Sequence, residues 1–171
     1  MQRKTPRRQR RDQPTRQRRR PTSSGAPTAV DLGELPALVG YVLRRAQIVV
    51  FQDFFRTFAD VGIRPAQFSV LTILERNPGL KQTEVASVLG IKRTNFVVLI
   101  DELERRGLAT RRAAEGDRRS SALFLTDKGK ILVRKLKRMV AVHERRMTAR
   151  IGAAHRKQLF RLLHRLADGR T

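Results

Sequence analysis

The sequence predicts a mainly α fold with one small β-hairpin. Apolar residues recur at helical spacing on both sides of a single stretch, 108–126, that alternates as strands do. Glycine and charged residues punctuate the pattern where turns are needed, at Gly90 and across Ala113–Arg119. At 171 residues the chain is long enough for one core of ordinary size.

The central helices come first in the argument. Val85, Ala86, Val88 and Leu89 mark a short helix from Lys81, Gly90 supplies a turn with positive φ, and a second helix starts near Arg93. On that second helix Phe96, Leu99, Ile100 and Leu103 share one side and must face the core. Thr94, Val98, Asp101 and Arg105 then point outward, flanked by Asn95 and Val97. Lys92 and Arg93 stand at the N-terminal end, where the helix dipole favours a phosphate. An outward Val97 and Val98 suit no solvated helix, but apolar groups contact thymine methyls in a major groove. The pattern is that of a recognition helix.

The stretch that follows reads as a wing. Leu108–Arg112 forms one strand, Ala113–Arg119 a turn and Ala122–Thr126 the returning strand. Arg118 and Arg119 sit at or beside the tip, placed for a narrow minor groove, and Asp117 can orient a guanidinium there. Arg111 on the first strand joins the candidate DNA contacts.

Several blocks resemble the MarR family of winged helix-turn-helix repressors, over about Pro36 to Ala167. These are Gln82–Ala86, Leu89–Ile91, Leu99–Leu108, Asp117–Arg119 and Leu125–Gly129. The resemblance implies that Asp117 and Arg119 form the family's Asp-x-Arg wing motif, with the arginine inserted into the minor groove. Val97–Val98 depart from the Thr-Arg pair of many relatives, so their operator does not carry over. The expected architecture is a winged helix-turn-helix domain, 61–126, plus a helical dimerisation region, 31–60 and 127–171. An Arg-rich arm, 1–30, precedes them.

Charge agrees with a polyanion partner. The chain carries 38 Lys and Arg against 15 Asp and Glu, a net +23, of which residues 1–24 hold +9. That segment has no Leu, Ile, Val, Phe, Tyr or Trp, so it buries too little to offset its ordering entropy and reads as a disordered arm adding phosphate contacts. It lacks the apolar core of a signal peptide.

Other functions find no support in the residues. Cysteine is absent, which removes disulfides, thiolate catalysis, Cys-ligated zinc and thiol-based sensing. His143, His155 and His164 never fall at i, i+4, so no metal is expected. Without a phosphate loop, nucleophile elbow or carboxylate pair, neither an enzyme nor a cofactor is expected. No apolar run reaches the ~18 residues of a membrane span, which predicts a soluble cytoplasmic protein. A nonspecific nucleoid-type or RNA-binding protein is the alternative to a sequence-specific regulator, and it needs no ordered wing. A membrane-surface protein needs an amphipathic basic helix that the arm does not supply.

The first and last helices carry the remaining expectations. Leu35, Val39, Val42, Ala46 and Val49 recur along one side of the first helix, which begins near Pro36, and Tyr41, Ile48, Phe51, Phe55 and Phe58 along another. Leu132, Leu136, Met139, Val140, His143 and Met147, then Leu159, Leu162, Leu163 and Leu166, supply matching stripes near the C-terminus. Helices apolar on two faces need two partners, so they read as an intertwined homodimer interface. A two-fold dimer places two recognition helices on a pseudo-palindromic operator in double-stranded DNA. The resemblance implies a ligand crevice between the dimer helices and the winged domain. There Phe51, Phe55, Phe58 and Phe68 gather with Ile48, and Arg44 and Arg45 lie nearby, which suits a small anionic aromatic effector. The Arg44–Gln47 run and the Arg-Thr-Asn-Phe-Val start of the recognition helix resemble regulators of aromatic-acid degradation. Some of these sense aromatic acyl-CoA thioesters.

Overall fold

The computed structural model describes residues 30–114 and 117–168, and the side chains of all of these except 114 and 117–120. The arm read in residues 1–30 lies, all but Val30, outside the described residues. Pro36 opens a 3-10 turn, Leu35–Ala37, rather than the first long helix. Leu38 straightens the chain at ψ 128°, and α1 runs Val39–Thr57. Then follow α2, Pro65–Arg76, β1, Leu80–Lys81, α3, Gln82–Val88, and α4, Arg93–Arg105. The chain closes with β2, Ala109–Ala114, β3, Asp117–Leu125, α5, Asp127–Ile151, and α6, Ala153–Ala167.

The three strands form an antiparallel sheet in the order β1-β3-β2, with Leu80 opposite Leu123 and Arg111 on the other side of the same residue. Alternation along β3 turns Leu123 and Leu125 into the core, where they join Leu71 and Leu74 of α2, Phe96, Ile100 and Leu103 of α4, and Leu136 of α5. Phe124 takes the opposite face, with the Arg112 guanidinium 4.9 Å from its ring centroid. The wing is longer than its sequence pattern suggests. Asp117–Arg119, read as turn, already belong to β3, and Ala114 pairs with Asp117 beyond a bulge at Ala113/Ala114.

One glycine fixes how the wing meets α5. A Cβ on Gly129 would lie 2.0 Å from the Leu108 carbonyl oxygen, so the first turn of α5 packs there only as glycine. Thr126 caps the same turn, accepting from the Gly129 N–H at 3.0 Å and donating to the Gly107 carbonyl at 2.6 Å.

A buried polar cluster joins α1 to α5. The Asp53 carboxylate lies 2.7 Å from Nδ1 of His143 and accepts from Nε of Arg146 at 3.0 Å. Arg146 also donates to Thr57, and Arg56 adds a weaker contact. Burial works against ionisation of Asp53, but hydrogen bonds and charge from Arg146 and His143 outweigh it and hold the carboxyl below its usual range.

Most of the remaining apolar surface of the first and last helices is uncovered in one chain. Over its 19 residues α1 buries only Asp53 and Phe54, and α6 buries none. Val42, Leu43, Val49, Leu159 and Leu163 line an open apolar groove of about 590 Å³ between α1, α5 and α6. Among the described residues no helix is long and apolar enough to cross a membrane.

Candidate nucleic-acid interface

The two central helices are locked at a fixed angle by their turn. Gly90 adopts φ 62°, and Ile91 N–H reaches back to the Ala86 carbonyl at 2.9 Å. Val85 and Ala86 of α3 and Phe96, Ile100 and Leu103 of α4 are buried together. With that side fixed inward, Lys92, Arg93, Thr94, Asn95, Val97 and Val98 are all exposed, and Val98 keeps 66% of its surface. No side chain caps the N-terminus of α4, which leaves its first N–H groups directed outward beside Lys92 and Arg93.

Arg111 does not join this surface. Its guanidinium turns onto α4, 2.7 Å from Asp101 and paired with Glu104, whose Oε1 also accepts the Arg111 backbone N–H at 2.7 Å. Two carboxylates of one helix face, Asp101 and Glu104, hold it there in the DNA-free chain. These contacts fix β2 to α4. Arg106, which sequence reasoning passed over, does similar work at the other end. It donates to the carbonyls of Val61 and Gly62, 2.8 Å each, and ties the C-terminus of α4 to the loop before α2. Asp117, Arg118 and Arg119 open β3, and their side chains lie outside the described residues.

The candidate effector residues divide into two groups. Arg44, Arg45, Ile48, Phe51 and Phe55 are exposed along α1. Phe58 is 1% exposed and stacks on Phe54, ring centroids 4.0 Å apart, while Phe68 is half-buried against both. In the single chain Phe58 is therefore core. Phe54, absent from the sequence-derived set, is the ring that links it to His143.

Comparison with known proteins places this architecture. Residues 61–120 match the MarR family. The "putative transcriptional regulatory protein for hcr operon" of Thauera aromatica is 32% identical over 148 residues, which cover 83% of this chain and 89% of the relative. The chain belongs to the MarR family. Solved MarR-type structures agree closely. The transcriptional repressor CouR bound to a 23-mer DNA duplex is 48% identical, with a TM-score of 0.77 over 81% of this chain and 98% of the other. CouR bound to p-coumaroyl-CoA is 45% identical, with a TM-score of 0.76 over 81% and 97%. The present chain is thus a MarR-type transcriptional regulator, and its relatives are regulators rather than enzymes.

Proposed function

We propose that the protein is a dimeric repressor whose paired α4 helices read a pseudo-palindromic operator, and that an aromatic acyl-CoA thioester releases it. The observation that carries this reading is the likeness, at 48% and 45% identity, to a repressor solved on DNA and with p-coumaroyl-CoA. The exposed, uncapped start of α4 supports the DNA half. The dimer is supported by the uncovered apolar faces of α1 and α6, which a second copy covers, so that 31–60 and 127–171 act as the dimerisation region. Phe51 and Phe55, exposed on α1, with Arg44 and Arg45 a turn or more away, offer an aromatic and cationic edge for the effector.

Fluorescence anisotropy on the DNA upstream of the gene, against a shuffled duplex at ~150 mM salt, tests the operator reading. A preference of about 10³ or more is expected, and equal affinity would leave a nonspecific binder. Within that assay Arg119→Ala is expected to cost more than about 1 kcal/mol through the wing, whereas Asn95→Ala relaxes base choice. Wild-type binding by both variants would move the interface elsewhere.

Val97 and Val98 make a sharper prediction. Replacing a contacted thymine by deoxyuridine removes one methyl and is expected to weaken wild-type binding about fourfold, from ~0.8 kcal/mol of apolar burial. The Val98→Ala variant should lose most of that sensitivity. Indifference of the wild type to every such replacement would show that the valines read no methyl.

A further inference from the structure

The net charge of +23 is distributed in a way that operator reading does not explain. The reading unit, residues 81–125, holds nine Lys and Arg against six Asp and Glu, a net +3. Residues 25–80 are neutral, with five of each sign. By contrast α5 has nine cations against Asp127 and Glu144, a net +7, and α6 adds four cations with no acid. The folded part therefore keeps most of its excess on helices that read no bases.

On α5 that excess is ordered. Gly129, Val133, Leu136, His143 and Met147 form its buried side. At 100° per residue Lys130, Arg134, Lys137, Arg138 and Arg145 fall opposite, within a sector of roughly 100°, along about 22 Å of helix. All five are exposed. Lys130 is paired with Asp127 at 3.0 Å and Lys137 with Glu75 at 2.7 Å. Among the described residues no carboxylate pairs with Arg134, Arg138 or Arg145. Three unneutralised guanidinium groups on one stripe repel each other, and a polyanion relieves that repulsion.

We propose that this stripe of α5 is a second DNA surface, one that holds the backbone of a duplex segment other than the one read by α4. The inference rests on the DNA-binding reading above. The stripe starts beside the wing, where Lys130, Arg134 and Lys137 line one groove with Arg112 and Phe124, but it lies on a helix that packs mainly on α1, α2, β3 and α6, whereas α4 packs on α3 and β2. Its length fits a duplex, whose two strands together present one negative charge per ~1.7 Å of axis, so a band of cations about 22 Å long reaches several phosphates. A lipid surface fits less well. The apolar side of α5 is spent in the core, and only Ile131 and Val142 stand exposed beside the stripe, too little for an inserting face. With base-blind guanidinium contacts only, the second segment is held without regard to sequence.

The test is capture of a second duplex. The upstream duplex is tethered to beads and saturated with full-length protein, and retention of a fluorescent shuffled duplex is measured across a salt series. The wild type is expected to retain it. The Arg134→Gln/Arg138→Gln/Arg145→Gln variant should retain at least fivefold less, with a salt slope shallower by about 2.7 for three lost phosphate contacts. Its affinity for the tethered duplex should stay within threefold. No capture by the wild type, or equal capture by the variant, overturns the proposal. A wild type that binds the upstream and shuffled duplexes equally overturns the operator reading instead. The stripe is then judged by capture between two shuffled duplexes.

Discussion

Replacing Asp53 with alanine is expected to lower the unfolding free energy by about 3 kcal/mol, near the lower end for breaking a buried ion pair because Arg146 is partly exposed and can turn to water. His143 has no such escape. It is buried, its Nδ1 faces the carboxylate at 2.7 Å, and alanine leaves that nitrogen without its partner. The effect has a defined pH dependence. The folded-state carboxyl is held below the usual aspartate value of 3.8, so its ionised form stabilises the fold at every pH above that value. The contribution is lost as pH falls through the folded value. Denaturant unfolding of wild type and Asp53→Ala should therefore differ by a constant amount near neutrality and converge in acid. A difference below ~1 kcal/mol at pH 7, or one that grows on acidification, would show that the cluster does not hold α1 to α5.

Gly129→Ala is expected to cost about 2 to 3 kcal/mol, the range for overpacking a site that cannot relax cheaply. The obstacle is backbone, not a side chain that can swing aside. The new Cβ would stand 2.0 Å from the Leu108 carbonyl oxygen, which also accepts the Thr126 N–H at 3.2 Å. Relief requires the first turn of α5 to withdraw from the base of the wing. Urea unfolding should register the lost stability, and operator affinity should fall with it because β2 and α4 are tied at that base through Leu108 and Arg111. A variant within ~0.5 kcal/mol of wild type would mean that the junction yields readily.

The recognition helix was legible in the sequence because its apolar residues sit at one helical phase, which leaves a single outward set. Gly90 was legible for a related reason: the turn demands positive φ. The phase of α1 was not, since that helix is apolar nearly all round. Grouping Phe58 with Phe51 and Phe55 missed Phe54, which packs inward with Phe58 while the other two remain exposed. Contacts between charged residues were hidden for a different reason. Asp53 lies 90 residues from His143, and Arg111 meets Asp101 and Glu104 only after the chain reverses at Gly107. Composition and periodicity hold no trace of such pairings. β1 is only two residues long, too short for any alternation, and exists because β3 offers it an edge.

The most direct test of a ligand-released repressor is to titrate p-coumaroyl-CoA into the preformed complex with the upstream duplex, with coenzyme A and p-coumarate as separate controls, and to follow anisotropy. The thioester is expected to free the DNA at concentrations where neither control acts, and Phe55→Ala should shift that release to higher concentration. DNA that stays bound at saturating thioester, or is released equally by coenzyme A alone, would contradict an aromatic acyl-CoA effector.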